Sequence, residues 1–347
     1  MQNTTKYAIL SIAMFLGASG SVVADSPGEA LAYLKELSSP SQKISSDMWE
    51  YIKALAHTQG ATLAESKRKT VLQSIEAAVA TTNQAKPYHD DDGYKQAVLK
   101  FLSTMHAVLN RDYAKIVSME GISEQSYDAM EAYLVAKKKA NEKLNEASLE
   151  LQKEEQAFAK ANKINLVTQD SEIAKKLKKA GEVLDYYNSI YLVTFKCYKQ
   201  ERALLDAIGK EDVSQIEQTR VTLLKVAEEG LDIVSRASPF NNDPSLINAC
   251  RKNLEFYKKE ASEKIPTLSA YLSKKEEYLK MKKDLDSKKE LERTNAEIDQ
   301  FNAKVKEMTK LSETYNTISI ELNRNRTLLI KELNATADAF FNRQVPK

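Results

Sequence analysis

Apolar residues fall at Ala140, Leu144, Ala147, Leu151, Phe158 and Ala161, and again at Ile173, Leu177, Ala180, Leu184, Tyr187 and Tyr191. Steps that alternate between four and three keep one seam turned toward a partner helix. They exclude a strand, whose side chains alternate with a period of two. Asn162-Lys163-Ile164-Asn165 and Thr168-Gln169-Asp170-Ser171 interrupt the pattern with polar residues and supply caps for a returning helix. The stretch Tyr127 to Tyr191 is therefore expected to form an antiparallel coiled-coil hairpin.

The rest of the chain is compatible with such rods. Nine glycines and seven prolines in 347 residues leave few breakers, which favours long helices over a sheet with many tight turns. Hydrophobic residues make up 42% and charged residues 29%, enough for a core and a well-solvated surface. The 51 basic and 49 acidic side chains nearly cancel and alternate along the same segments. That pattern makes i,i+4 pairs on solvated faces and offers no basic face to nucleic acid.

The N-terminus reads as an export signal. Lys6 is followed by an apolar run from Tyr7 to Leu16, too short to span a bilayer, then by small residues Gly17 to Ser21. Val22-Val23-Ala24 fits a cleavage site, so residues 1–24 are expected to be removed and Asp25 to begin the mature chain. Association with a membrane is then expected only through this leader, during export to the periplasm or cell surface. No cysteine lies near the site to take a lipid. The only cysteines are Cys197 and Cys250, both inside helical patterns. Export allows a disulfide between them, but up-and-down helices place them at different heights, and two small half-buried hydrophobes is the simpler expectation.

In chain order, Ser26-Pro27-Gly28-Glu29 starts a helix, which Ser39-Pro40 restarts or kinks. Thr62 is expected to cap a second helix and Asp92 a third. A fourth is expected from Asn110 or Asp112 to about Ala161, passing Gly121. The fifth ends near Ile208, with Gly209 as its stop. The sixth covers Glu211 to Ser235 and the seventh Leu246 to about Glu260. The eighth begins at Ile265-Pro266 and passes Met308, and the ninth starts near Tyr315.

Laid on itself at an offset of 152, the chain repeats. Glu65, Arg68, Thr70, Leu72, Glu76, Ala85 and Pro87 fall on identical residues at Glu217, Arg220, Thr222, Leu224, Glu228, Ala237 and Pro239, and Tyr88 falls on Phe240. The shared loop of proline, aromatic, polar residues and aspartate weighs most, because it aligns a break and not merely a helix face. Tyr187-Asn188-Ser189-Ile190 also resembles Tyr315-Asn316-Thr317-Ile318. The expected fold is all-α: elongated, tandem-duplicated up-and-down bundles of four, four and one helices, with 25–163 and 164–347 as the two repeats.

Motifs for chemistry are sparse. His57 and His106 lack the acidic or histidine neighbours of a metal-binding helix face. His89-Asp90-Asp91-Asp92 is polar, but its spacing does not build a calcium loop. No phosphate-binding glycine loop, nucleophile elbow or dinucleotide fingerprint occurs. Tyr186, Tyr187, Tyr191 and Tyr198 read as bundle interior, with a groove for a helix or apolar ligand as the alternative. No catalytic, cofactor-binding or metal-binding residue is assigned, and no cofactor is expected.

Several segments share a further character: Tyr127-Asp128-Ala129-Met130-Glu131-Ala132-Tyr133-Leu134, Lys139-Ala140-Asn141-Glu142-Lys143-Leu144, Tyr186-Tyr187-Asn188, Tyr198-Lys199-Gln200-Glu201, Ile216-Glu217-Gln218 and Ala227-Glu228-Glu229-Gly230-Leu231. Together they resemble a family of bacterial surface proteins known from leptospires and related Gram-negative lineages, over nearly the whole mature chain. The resemblance implies a cell-surface or periplasmic setting. The family has no agreed activity, so it implies no catalytic residue; its lipoprotein-like members carry an anchoring cysteine that this chain lacks. The expectation is a non-enzymatic exported protein that is structural or binds a protein partner. The alternative is a helical-bundle carrier or sensor for an apolar small molecule or metal.

Overall fold

The structure, a computed structural model, describes residues 28–57, 61–89, 91–112, 125–166 and 171–345. The leader, Gly121, Asp90 and the segment 167–170 lie outside these residues. The described residues are helical throughout, with no strand beyond two isolated bridges at turns. The helices are α1 (Glu29–Ser38), α2 (Pro40–Ala56), α3 (Ala61–Gln84) and α4 (Gly93–Ala107), which runs on through a π-turn (Val108–Asp112). Then come α5 (Tyr127–Ala161), α6 (Glu172–Gly209), α7 (Val213–Arg236) and α8 (Ser245–Lys259). A second π-turn (Glu260–Lys264) leads from α8 into α9 (Ile265–Asp286), and a 3₁₀ turn (Glu290–Glu292) precedes α10 (Asn295–Gln344).

The described residues form two compact units, one drawn from 28–189 with 337–345, the other of Ile190–Thr336. The changeover between the compact units falls inside α6. In the first unit α2 packs on α3, α3 on α4, and α4 on α5. Ile44, Met48, Ile52, Val71, Ile75, Met105 and Leu109 are buried there. The Phe158 ring from α5 lies 5.5 to 5.6 Å from the rings of Tyr33, Tyr88 and Tyr94. In the second unit α7 packs on α8 and α9, over Leu204, Ile216, Leu223, Ala227, Leu254 and Ile265.

Local sequence explains most helix ends. Ser126 Oγ accepts the Ala129 N–H and Ser171 Oγ accepts the Ala174 N–H, so both serines cap. The α5 C-terminus closes with Lys163 at φ 54°, the Ile164 N–H on the Ala159 carbonyl and the Lys163 N–H on the Lys160 carbonyl. That is the Schellman arrangement, with buried Ile164 as its apolar contact. The α6 C-terminus repeats it, but the left-handed residue is Glu211 and not Gly209. Asp212 then caps α7 through the Gln215 N–H.

Other expectations shift. Thr62 lies within α3. Asp92 occupies the N-cap position of α4, but the cap-like bond comes from Asp91, whose Oδ1 accepts the Gly93 N–H at 2.9 Å. The seventh and eighth helices join without a loop through the π-turn. The break expected between Met308 and Tyr315 lies instead at 287–294, and α10 is unbroken for 50 residues.

Element bounds recur at the 152-residue offset. Ala61–Gln84 maps onto Val213–Arg236, Gly93–Ala107 onto Ser245–Lys259, and Val108–Asp112 onto Glu260–Lys264. The loops match in detail. Tyr88 bridges Asp91 as Phe240 bridges Asp243, with His89 at φ 46° and Asn241 at φ 48°. The Ser245 N–H meets Asp243 Oδ1 as the Gly93 N–H meets Asp91 Oδ1. A left-handed turn favours Asn, Asp and His, whose short polar side chains tolerate positive φ.

Candidate functional site: a carboxyl pair on one guanidinium

The two halves differ most on the inner face of α4 and α8. Val98, Phe101, Met105 and Val108 line it in the first unit; Cys250, Asn253, Tyr257 and Glu260 hold the same stations in the second. All eight are buried. The face that is apolar on α4 is thus polar on α8.

Two further helices complete the polar core. Glu201 projects from α6 and Arg326 from α10. Arg326 donates from Nε to Glu201 Oε1, and from Nη2 to Glu260 Oε1 at 2.7 Å. Its remaining Nη1 is held by Asn323 Oδ1 at 2.6 Å. Both glutamates have 0% exposure, and the arginine side chain 11%. The second oxygen of each carboxyl is buried with no hydrogen-bond partner among the described residues.

Burial, and then the Glu201 charge, push the Glu260 carboxyl up to about 8 against the pull of Arg326. Glu201 is also raised by burial, against the pull of Arg326. Tyr257, fully enclosed beside the pair, is held well above the usual phenol range by burial. Cys197 lies one turn before Glu201, and burial pushes its thiol up to about 12. Cys250 is pushed up to about 11, and its Sγ lies 3.0 Å from Thr194 Oγ1.

Both cysteines are free and wholly buried, more enclosed than the sequence led one to expect. The tyrosines expected to be interior are packed on the chain's own rings. Tyr187 lies 5.1 Å from Phe341 and Tyr186 5.9 Å from Phe340. In the other unit Tyr191 stacks on Phe195 at 5.6 Å. His57 Nδ1 meets Asn342 Oδ1 at 3.2 Å, and His106 Nε2 meets Glu76 Oε1 at 3.0 Å. The latter contact recurs as Lys258 on Glu228 at 3.1 Å, a structural pairing at matched stations. Among the described residues no group of three potential metal ligands converges.

Sequence reading did not assemble the triad, because Glu201, Glu260 and Arg326 sit in three separate charge-rich helices. The signal that could have led there is the mismatch of Val108 with Glu260 at the 152 offset. No protein-family model, curated protein or solved structure matches the chain.

Proposed function

We propose that the protein is an exported, non-enzymatic helical scaffold that binds a protein partner through the hairpin of α9 and α10. The observation that carries this reading is that no residue between Leu272 and Met308 is buried. The two helices hold each other through a Tyr278–Phe301 stack at 5.6 Å and the ion pairs Lys274–Glu307, Lys304–Glu277 and Lys288–Glu297. Leu279 and Ile298 are left exposed, and Leu291 stands fully exposed in the 3₁₀ turn. Between the helices a groove of about 330 Å³ is lined by Met281 and Leu285 together with Glu277, Lys280, Asp284 and Lys288. Mixed charge around apolar contacts suits an amphipathic helix from another protein, and gives neither nucleic acid nor an anionic lipid surface a charge to follow.

Export is supported by the leader read from Lys6 to Ala24, and a cell-surface or periplasmic setting by the family resemblance. Among the described residues no helix is long and apolar enough to cross a membrane. The two halves are read as copies of one helical unit, supported by their shared bounds, turns and ion-pair stations. Photoreactive residues at 279, 291 and 298, with Val221 on α7 as the exposed control, test the docking claim in intact cells. A discrete protein adduct from the hairpin and none from 221 is expected. Adducts equal at all four positions, or none from the hairpin, overturn it.

A further inference from the structure

A fully ionised Glu201, Glu260 and Arg326 would enclose one net negative charge in a buried core. An uncompensated buried charge costs several kcal/mol, so the cluster gains by taking up one proton. The geometry says where that proton goes. Each glutamate spends one oxygen on the guanidinium, and the other oxygens are left without a donor. The two carboxyls also lie close enough to act on each other's charge. A proton between them satisfies the pair and neutralises the core in one step.

We propose that Glu201, Glu260 and Arg326 form a proton-binding clasp that holds α10 against α6 and α8 while one proton is shared by the carboxyls, and that loosens α10 at Arg326 when the proton is lost. Three helices meet at this cluster of charges, beside the Thr194–Cys250 contact of α6 with α8 and the Lys252–Glu332 pair of α8 with α10, so its protonation acts on their packing. The groups around it are few. From α6 come Arg202, which favours the ionised form of Glu201, and the thiol of Cys197. From α8 comes Tyr257, neutral over the working range. From α7, Arg220, paired with Glu217, reaches only the Ala261 carbonyl. Where the π-turn leads into α9, Lys264 pairs with Glu321 of α10 at 3.0 Å. None of these supplies a second buried cation to replace the proton. The apolar station of the other half, Val108, shows that the fold tolerates a core without the device.

The sign follows from linkage. Glu260 binds its proton more tightly in the closed state, near pH 8, than when exposed, near 4.5. The clasp is therefore fully closed below about pH 4.5, weakens as pH rises toward about 8, and changes no further above that. Within that window the opening constant rises up to about tenfold per pH unit.

Amide hydrogen exchange of the full chain, corrected for intrinsic base catalysis, reads the opening. Peptides spanning 318–332 of α10 are expected to lose protection steadily from pH 5 to 8, while α7 peptides do not. Glu260→Gln keeps the shape and removes the proton, and is expected to flatten the trend. Carbon-13 spectra of glutamate carboxyls in the wild-type chain give an answer that does not depend on the variant folding. One carboxyl still protonated at pH 7 is expected. All glutamates titrating in the ordinary range, or an α10 trend identical in wild type and Glu260→Gln, overturns the proposal.

Discussion

Arg220 donates from Nη1 to the main-chain carbonyl of Ala261 at 3.1 Å, while its other nitrogens fork onto Glu217 one turn earlier. The carbonyl needs an outside donor for a covalent reason. In the π-turn the Ile265 N–H bonds back to the Glu260 carbonyl, so the next bond of that register runs from residue 266 to Ala261. Residue 266 is proline and has no N–H. Arg68 fills the same role in the first unit, forked on Glu65 and donating to the Leu109 carbonyl at 2.7 Å. The Glu-x-x-Arg pair shared by both halves is thus a clamp for the carbonyl that a widened helix turn exposes.

Arg220→Ala should destabilise the chain by about 1–3 kcal/mol, the cost of leaving a buried carbonyl unpaired. Arg220→Lys should recover only part of that, since an ammonium cannot fork onto Glu217 and still reach Ala261. Urea unfolding of the three proteins checks the order. Loss in Arg220→Ala no larger than an ordinary surface substitution would show that water satisfies the carbonyl.

Arg326→Met removes the only cation between Glu201 and Glu260. Both carboxyls then have to carry protons to remain buried, so the penalty grows as pH rises. About 3–5 kcal/mol is expected near neutral pH, the scale for breaking a buried ion pair. The loss should be smallest near pH 4.5, where protonation offsets it. Thermal melts between pH 4.5 and 8.5 check this; a penalty that is flat with pH would contradict it.

Close packing of α7 sets a third expectation. A methyl group on Gly230 would lie 2.8 Å from Leu254 Cδ2 and 3.0 Å from Val193 Cγ1. Alanine is the better helix former by about 1 kcal/mol, but overpacking a core costs about 1–3 kcal/mol. Val193 is β-branched and cannot turn its methyls away freely. Gly230→Ala should therefore lower stability slightly. The matched residue Ala78 is buried in contact, so Ala78→Gly should lower it too. Opposite substitutions at one station should both be unfavourable, measured as shifts in urea midpoint.

The buried thiols should be inert in the native chain. With Cys250 raised to about 11, about one thiol in a thousand is ionised at pH 8, against about one in four for an exposed cysteine. Alkylation of the native protein at pH 8 should run at least about a hundredfold slower than in urea. Equal rates would mean that the α6–α8 contact opens readily.

What the sequence made legible was periodicity and punctuation. Of the seam residues, Ala140, Leu144, Phe158, Leu177, Ala180, Leu184, Tyr187 and Tyr191 are buried, while Ala147, Leu151 and Ile173 are half-buried and Ala161 is exposed; Ser171 caps its helix as read. The offset of 152, found in identities between Glu65 and Pro87, returns in element bounds that no identity dictated. What stayed hidden depends on tertiary context. Pro266 at a first turn and Pro266 within a continuous helix look alike until the Arg220 clamp is placed. Gly209 is a better left-handed residue than Glu211, yet the turn into Asp212 puts the strain on the glutamate. Charged residues on α6, α8 and α10 look solvated one helix at a time. Only packing turns three of them inward.

The hairpin of α9 and α10 gives the last expectation. Leu291 is fully exposed and Leu279 about half exposed, so Leu279→Lys and Leu291→Lys remove no buried area and should change stability by less than about 0.5 kcal/mol. If the hairpin docks an amphipathic helix, the same changes place ammonium groups where apolar side chains have to meet, and the partner adducts from position 298 should fall several-fold. Met281→Lys is the contrasting variant, since it puts a charge in the lining of the groove itself and should abolish the adduct. Stability unchanged and adducts lost separates docking from folding. Unchanged stability together with unchanged adducts in all three variants would place the partner elsewhere on the chain.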